Sequence, residues 1–174
     1  MELFEFKVAL RNILEEELPF RNRVEVYATK DGKVYGGFYP DGGFGVFGGG
    51  TDGEKLEDAA TREFKEESGY KVKNLKKLDI PAVEAIWDEA KSKKQKERMQ
   101  EYKGTRTWYF HGELDDSGKK NKATGEDGQS SLKEIGLIEI DDAIKALEKE
   151  PDDPNLKKQY KARIKALKLI KDML

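Results

Sequence analysis

Three glutamates in the stretch "REFKEE", Glu63, Glu66 and Glu67, stand at i, i+3 and i+4. If the segment is helical, all three carboxylates project from one face, where like charges a turn apart repel. Such a face is either solvated or a cradle for a cation. Hard divalent ions such as Mg²⁺ prefer carboxylate and carbonyl oxygen, and complete their shells with water and phosphate oxygens. Immediately upstream, Gly48, Gly49 and Gly50 let the backbone approach a ligand closely and offer it carbonyls or amides. Leu56, Ala60 and Phe64 form a second stripe that can dock on a sheet and fix the direction of the carboxylates.

The elements that must position this face are legible from pattern. Leu3, Phe6, Leu10, Ile13 and Leu14 recur at helical spacing ahead of Pro19, which predicts an N-terminal helix over residues 2–18. Alternation from Arg23 to Ala28, an Asp31-Gly32 turn and a second short alternating run predict a hairpin. The glycine loop then leads into a helix over residues 54–68, with Gly69 placed for a left-handed cap. Residues 71–80 read as a strand, 83–103 as a second helix with a basic middle, and 105–114 as a central strand rich in β-branched and aromatic residues. A polar, glycine-bearing stretch over 115–131 predicts a long mobile loop. The segment "LKEIGLIEI" returns to strand, "DDAIKALEKE" begins a helix with an aspartate available as cap, and residues 156–174 form a closing amphipathic helix. Strands interleaved with helices imply an α/β sandwich, a mixed sheet with helices on both faces.

Composition narrows the classes. The 174 residues suit one domain spanning 1–174 that needs no covalent staple. Charged residues make up 39% of the chain, yet Lys and Arg (33) nearly balance Asp and Glu (35) for a net charge of -2. Strong general nucleic-acid binding is therefore not expected. The absence of cysteine excludes disulfides and thiolate metal sites. The N-terminus lacks a basic segment followed by an apolar core, and no run reaches the roughly eighteen apolar residues of a membrane span. The expectation is a soluble, cytoplasmic protein.

Other residues carry weaker signals. Arg106 is a candidate phosphate contact on the 105–114 strand. Trp108, sharing a sheet face with Phe110, is a candidate stacking platform, although such pairs more often serve the core. The basic run from Lys91 to Arg98 could meet phosphate, but Lys-rich helix faces are usually only solvated. Gly42, Gly43 and Gly45 suit turns. His111, the single histidine, reads as an ordinary half-buried residue rather than a catalytic one.

The stretch 48–70 resembles the Nudix hydrolases, whose box is G-x5-E-x7-R-E-U-x-E-E-x-G-U with U bulky and apolar. Gly48, Glu54, Arg62, Glu63, Phe64, Glu66, Glu67, Gly69 and Tyr70 fill every defined position. Val46 and Phe47 stand where many members carry Pro-Gly, which alters the loop and leaves the glutamates intact. The resemblance implies the α/β/α sandwich of that family. It implies Glu63, Glu66 and Glu67 as metal ligands with a carbonyl near Gly48, Mg²⁺ as the cofactor and Mn²⁺ as a substitute. It also implies an ion pair between Glu54 and Arg62 that braces loop against helix. The activity implied is hydrolysis of a diphosphate linkage in a nucleoside diphosphate derivative. ADP-ribose or a nucleotide sugar ranks first, ahead of dinucleoside polyphosphates, nucleoside triphosphates and capped RNA. Relatives place a further acid on a loop before the last strand, where Glu126 and Asp127 stand here, with Glu134 a third contender. The motif that marks NADH-cleaving members is missing, and Pro81 comes too early for the proline of the ADP-ribose type. Expected partners are the small nucleotide and, as an option, a second copy of the chain. The alternative from another class is a Nudix-fold sensor that binds a nucleotide without turning it over.

Overall fold

The computed structural model describes residues 2–118, 120 and 131–174. Helix α1, Leu3–Glu17, ends ahead of Pro19. Strands β1, Phe20–Lys30, and β2, Lys33–Phe38, form the expected hairpin. Its turn residues Asp31 and Gly32 both have positive φ, 52° and 75°, the combination that matches the twist of paired strands. Two short strands follow, β3, Phe44–Gly45, and β4, Phe47–Gly50. Helix α2, Leu56–Ser68, is closed by Gly69 at φ 79°, whose N–H bonds the Lys65 carbonyl.

Beyond it lie β5, Lys71–Lys77, β6, Val83–Ile86, and the short helix α3, Lys93–Arg98. Strand β7, Gly104–Asp115, and strand β8, Lys133–Glu139, complete the sheet. Helices α4, Ile140–Leu147, and α5, Pro154–Met173, close the chain. The single helix expected over 83–103 is not formed. Residues 83–86 instead pair antiparallel with β7, from Val83 against Thr107 to Ile86 against Gly104. Ala85 is buried while Glu84 and Ile86 are exposed, the period of a strand. Only "KKQKER" keeps its helical propensity, capped by Ser92, whose Oγ accepts the Gln95 N–H at 3.1 Å. The expected aspartate cap of α4 also differs. Glu139 takes the N-cap position without a side-chain bond, and Asp141 and Asp142 fall in the first turn, where their charge suits the helix dipole. Helix α5 begins two residues before the expected start, because Asp153 caps it and Pro154 fits its first turn.

Among the described residues eight strands make one mixed sheet. Strand β1 runs parallel to β7 and antiparallel to β2 and β4. Strand β7 is antiparallel to β5 and β6, and β2 to β3 and β8. Alternation divides β1 between two cores. Val24, Val26 and Ala28 join Phe110, Ala59, Ala60 and Phe64 beneath α2. Tyr27 joins Tyr109, Ile144, Leu147, Leu167 and Ile170 beneath α4 and α5. Phe64 is fully buried, and burying a side chain of that size stabilises by about 1.5–3 kcal/mol. It also fixes the roll of α2, and with it the direction of the glutamate face. The apolar stripe of α1 remains in solvent, with Leu3 69% and Ile13 54% exposed. No helix among the described residues is long and apolar enough to cross a membrane.

Candidate active site

Glu63, Glu66 and Glu67 line one wall of a cleft of about 1010 Å³, together with Gly48, Gly49 and Gly50 of β4. Strand β4 pairs only with β1, so α2 packs beside a free strand edge. Glycine is required there for a specific reason: a Cβ on Gly49 would collide with the Glu63 carboxylate. The side chain lies flat on the backbone and is nearly buried. Burial pushes the Glu63 carboxyl above its ordinary pKa, opposed by hydrogen bonding and attraction from Arg62.

Arg62 organises the wall. Its Nε donates to Glu54 Oε1 at 2.7 Å, and its Nη2 lies 2.6 Å from the same oxygen. Nη2 also donates to the Gly50 carbonyl at 3.1 Å. Nη1 donates to Glu63 Oε1 at 2.9 Å and to Glu66 Oε2 at 3.0 Å. One guanidinium thus ties the glycine strand, the loop acid and two of the three helix glutamates. The hydrogen bonds to Glu54, ahead of those to Glu63, raise its pKa further above the arginine range.

Among the described residues no three acidic, histidine or cysteine side chains converge as a ready-made cation site. Arg62 Nη1 lies between Glu63 and Glu66, bonded to both. The donor set nonetheless fits a hard divalent cation. It is all oxygen, and the missing Cβ of Gly49 keeps the nearly buried Glu63 carboxylate against backbone.

The remaining sequence candidates divide. Arg106 pairs with Glu84 at 3.1 Å and lies 5.1 Å over the Phe20 ring. Trp108 Nε1 donates to Asn22 Oδ1 at 3.2 Å, with Lys77 Nζ 5.0 Å from the ring centre. Both project from the sheet face opposite Thr105, and neither lines the cleft. His111 Nε2 shares a 2.8 Å hydrogen bond with Thr29 Oγ1, and burial lowers its pKa. Glu134 is exposed on β8 outside the cleft. Glu126 and Asp127 lie outside the described residues. Gly42, at φ 92°, and Gly43 form a turn closed onto Tyr39.

Sequence reasoning missed the wall that continues from Gly50, against which the Arg21 guanidinium lies. Arg21 and Arg23, on the β1 face away from Val24, both reach the cleft. The buried Nε of Arg23 has no hydrogen-bond partner among the described residues. The Arg21/Arg23 spacing of two was the available signal. Trp87 and α3 also line this wall, so the basic segment faces the cleft rather than bulk solvent alone.

A family model for the NUDIX domain matches residues 18–160. The chain belongs to the Nudix family. Its fold resembles that of the MutT protein from Bacillus halodurans, at 17% identity and a TM-score of 0.53, over 83% of this chain and 82% of that one. It also resembles a protein titled ADP compounds hydrolase, at 18% identity and a TM-score of 0.53, over 91% of this chain and 75% of that one. At these identities the likeness is one of Nudix fold. No curated protein matches the sequence.

Proposed function

We propose that this Nudix chain hydrolyses a diphosphate linkage in a nucleoside diphosphate derivative with the aid of Mg²⁺ or Mn²⁺. ADP-ribose or a nucleotide sugar is the first choice of substrate. The observation that carries the reading is the gathering of Glu63, Glu66 and Glu67 with Gly49 on one wall of the cleft, the first two held by Arg62. A divalent ion bound by these glutamates and a carbonyl near Gly48 would neutralise phosphate charge and make a bound water more acidic. The chain's own residues do the rest. Arg62 keeps Glu63 and Glu66 side by side, and Glu54 keeps Arg62 in place. Arg21 and Arg23 offer cationic donors to phosphate oxygens across the cleft. Glu126 or Asp127 would accept the proton of the attacking water.

The test is turnover of the purified protein against ADP-ribose, nucleotide sugars, dinucleoside polyphosphates, nucleoside triphosphates and capped RNA, with and without Mg²⁺, following phosphate products. Metal-dependent cleavage of a diphosphate bond supports the reading. Saturable binding with no cleavage of any member would make the chain a nucleotide sensor.

A further inference from the structure

The cleft lining beyond the glutamates holds groups that metal chemistry does not use. Trp87 is half-buried and lines the cleft, and its backbone N–H is tied to the Lys103 carbonyl at 3.0 Å. Helix α5 is anchored beside it, since Asn155 Nδ2 donates to the Ile86 carbonyl at 2.9 Å. Gln159 follows one turn along the same face of α5 and also lines the cleft. Neither the Trp87 indole N–H nor the Gln159 amide has a hydrogen-bond partner among the described residues. A half-buried aromatic residue and an unused neutral amide lining the same cleft suit a planar heterocycle that carries donors and acceptors of its own.

Strand register fixes where this corner lies relative to the glutamates. Arg21 pairs with Thr105, and Thr105 pairs with Ala85, so these three share a row and a sheet face. In the next row Gly50 pairs with Arg23, and Arg23 with Thr107. From β4 to β6 the cleft floor therefore crosses three strand spacings, about 14 Å. Glutamates stand at the β4 end, arginines in the middle, and Trp87 just past Ala85 at the β6 end. Along this floor the lining passes from the glutamates through the two arginines to the Trp87 ring, with the charged Asp88, Glu89, Lys91, Lys94 and Arg98 on the surrounding wall, an order that suits the phosphates and then the base of an extended nucleotide.

We infer that Trp87 and Gln159 form the nucleobase subsite of the cleft, with the nucleotide laid across the sheet, its diphosphate over Arg21 and Arg23 and its reacting end at the glutamates. This rests on reading the cleft as a nucleotide site, and it assigns the base, not the sugar, to the α5 side.

The two tryptophans make a direct test available. In a Trp108→Phe background Trp87 is the only tryptophan, excited selectively at the red edge where the seven tyrosines do not absorb, and AMP can be titrated with Mg²⁺ present because it has no diphosphate bond to cleave. Saturable quenching by AMP, with none by ribose 5-phosphate, is the expected result. Equal quenching by ribose 5-phosphate, or none by either, overturns the assignment. With the preferred substrate, Trp87→Ala should raise KM about tenfold or more through lost stacking and change kcat far less. Trp87→Phe, which keeps an aromatic face, should stay close to wild type, whereas an equal loss in both variants overturns the stacking role. Base-dependent quenching in a protein that cleaves nothing would leave this subsite standing and remove the hydrolase reading. Cleavage without quenching would do the reverse.

Discussion

Arg163 Nη2 lies 2.7 Å from Glu25 Oε1, joining α5 to the central strand across 138 residues of sequence. Arg163 Nε lies 3.2 Å from both oxygens of the same carboxylate, and the Tyr27 hydroxyl donates to it at 3.1 Å. Both partners are nearly inaccessible, with side-chain exposures of 7% and 13%. Burial raises the Glu25 pKa, but attraction and hydrogen bonding from Arg163 outweigh it, and the net direction is down. The pair therefore holds α5, and with it one wall of the cleft, against the sheet.

Removing one member leaves the other charge buried. Arg163→Met should cost about 3–5 kcal/mol of stability, read by urea unfolding at neutral pH. A Glu25→Gln/Arg163→Met double variant should recover part of that loss. Because the folded pKa of Glu25 is depressed, its contribution is full above the ordinary value of 4.5 and fades as pH falls through the folded value. The wild-type advantage over the double variant should shrink in acid. An advantage that is constant from neutral pH down to acid unfolding would contradict this account.

A bracing role for Arg62 is the proposal that its contacts favour. Its contacts with Glu54, Glu63, Glu66 and the Gly50 carbonyl bind loop, strand and helix. Arg62→Ala should lower stability by about 1–3 kcal/mol and lower turnover as well, both measurable in one preparation. Loss of turnover at an unchanged melting temperature would instead mean direct contact with substrate.

Gly49→Ala tests the cradle. The atoms nearest the added methyl are those of the Glu63 carboxylate, the end of a side chain that can turn, so the fold should survive with a small loss of stability. The carboxylate must move, and Mn²⁺ affinity measured by paramagnetic resonance should weaken several-fold. Unchanged Mn²⁺ binding would remove Glu63 from the ligand set.

Much of this was legible in the sequence because the signals are local. The glutamate spacing, the Asp31-Gly32 turn and the Gly69 cap each depend on neighbours within one turn of chain, and the structure places them as expected. What escaped depends on pairing. Residues 83–86 are flanked by good helix formers, yet their alternation is claimed by β7, a partner twenty residues away. Arg106 and Trp108 stand on the strand that passes the site, but strand parity turns them to the other face, while Thr105 faces the cleft. Arg21 and Arg23 are near the site only because β1 pairs with the glycine strand, and Trp87 only because β6 pairs with β7. Sequence spacing showed the glutamate face, whereas the rest of the cleft required the register of the sheet.

Glu63, Glu66 and Glu67 are proposed to hold the divalent ion on which turnover depends. The most direct test is the rate of Glu66→Gln and Glu67→Gln, each shown to be folded by circular dichroism, at saturating Mg²⁺ and substrate. Either change keeps side-chain size and removes one charge. A fall of about a hundredfold or more in kcat in each, with Mn²⁺ affinity weakened in parallel, is the expected result. Wild-type rates in both variants would contradict it.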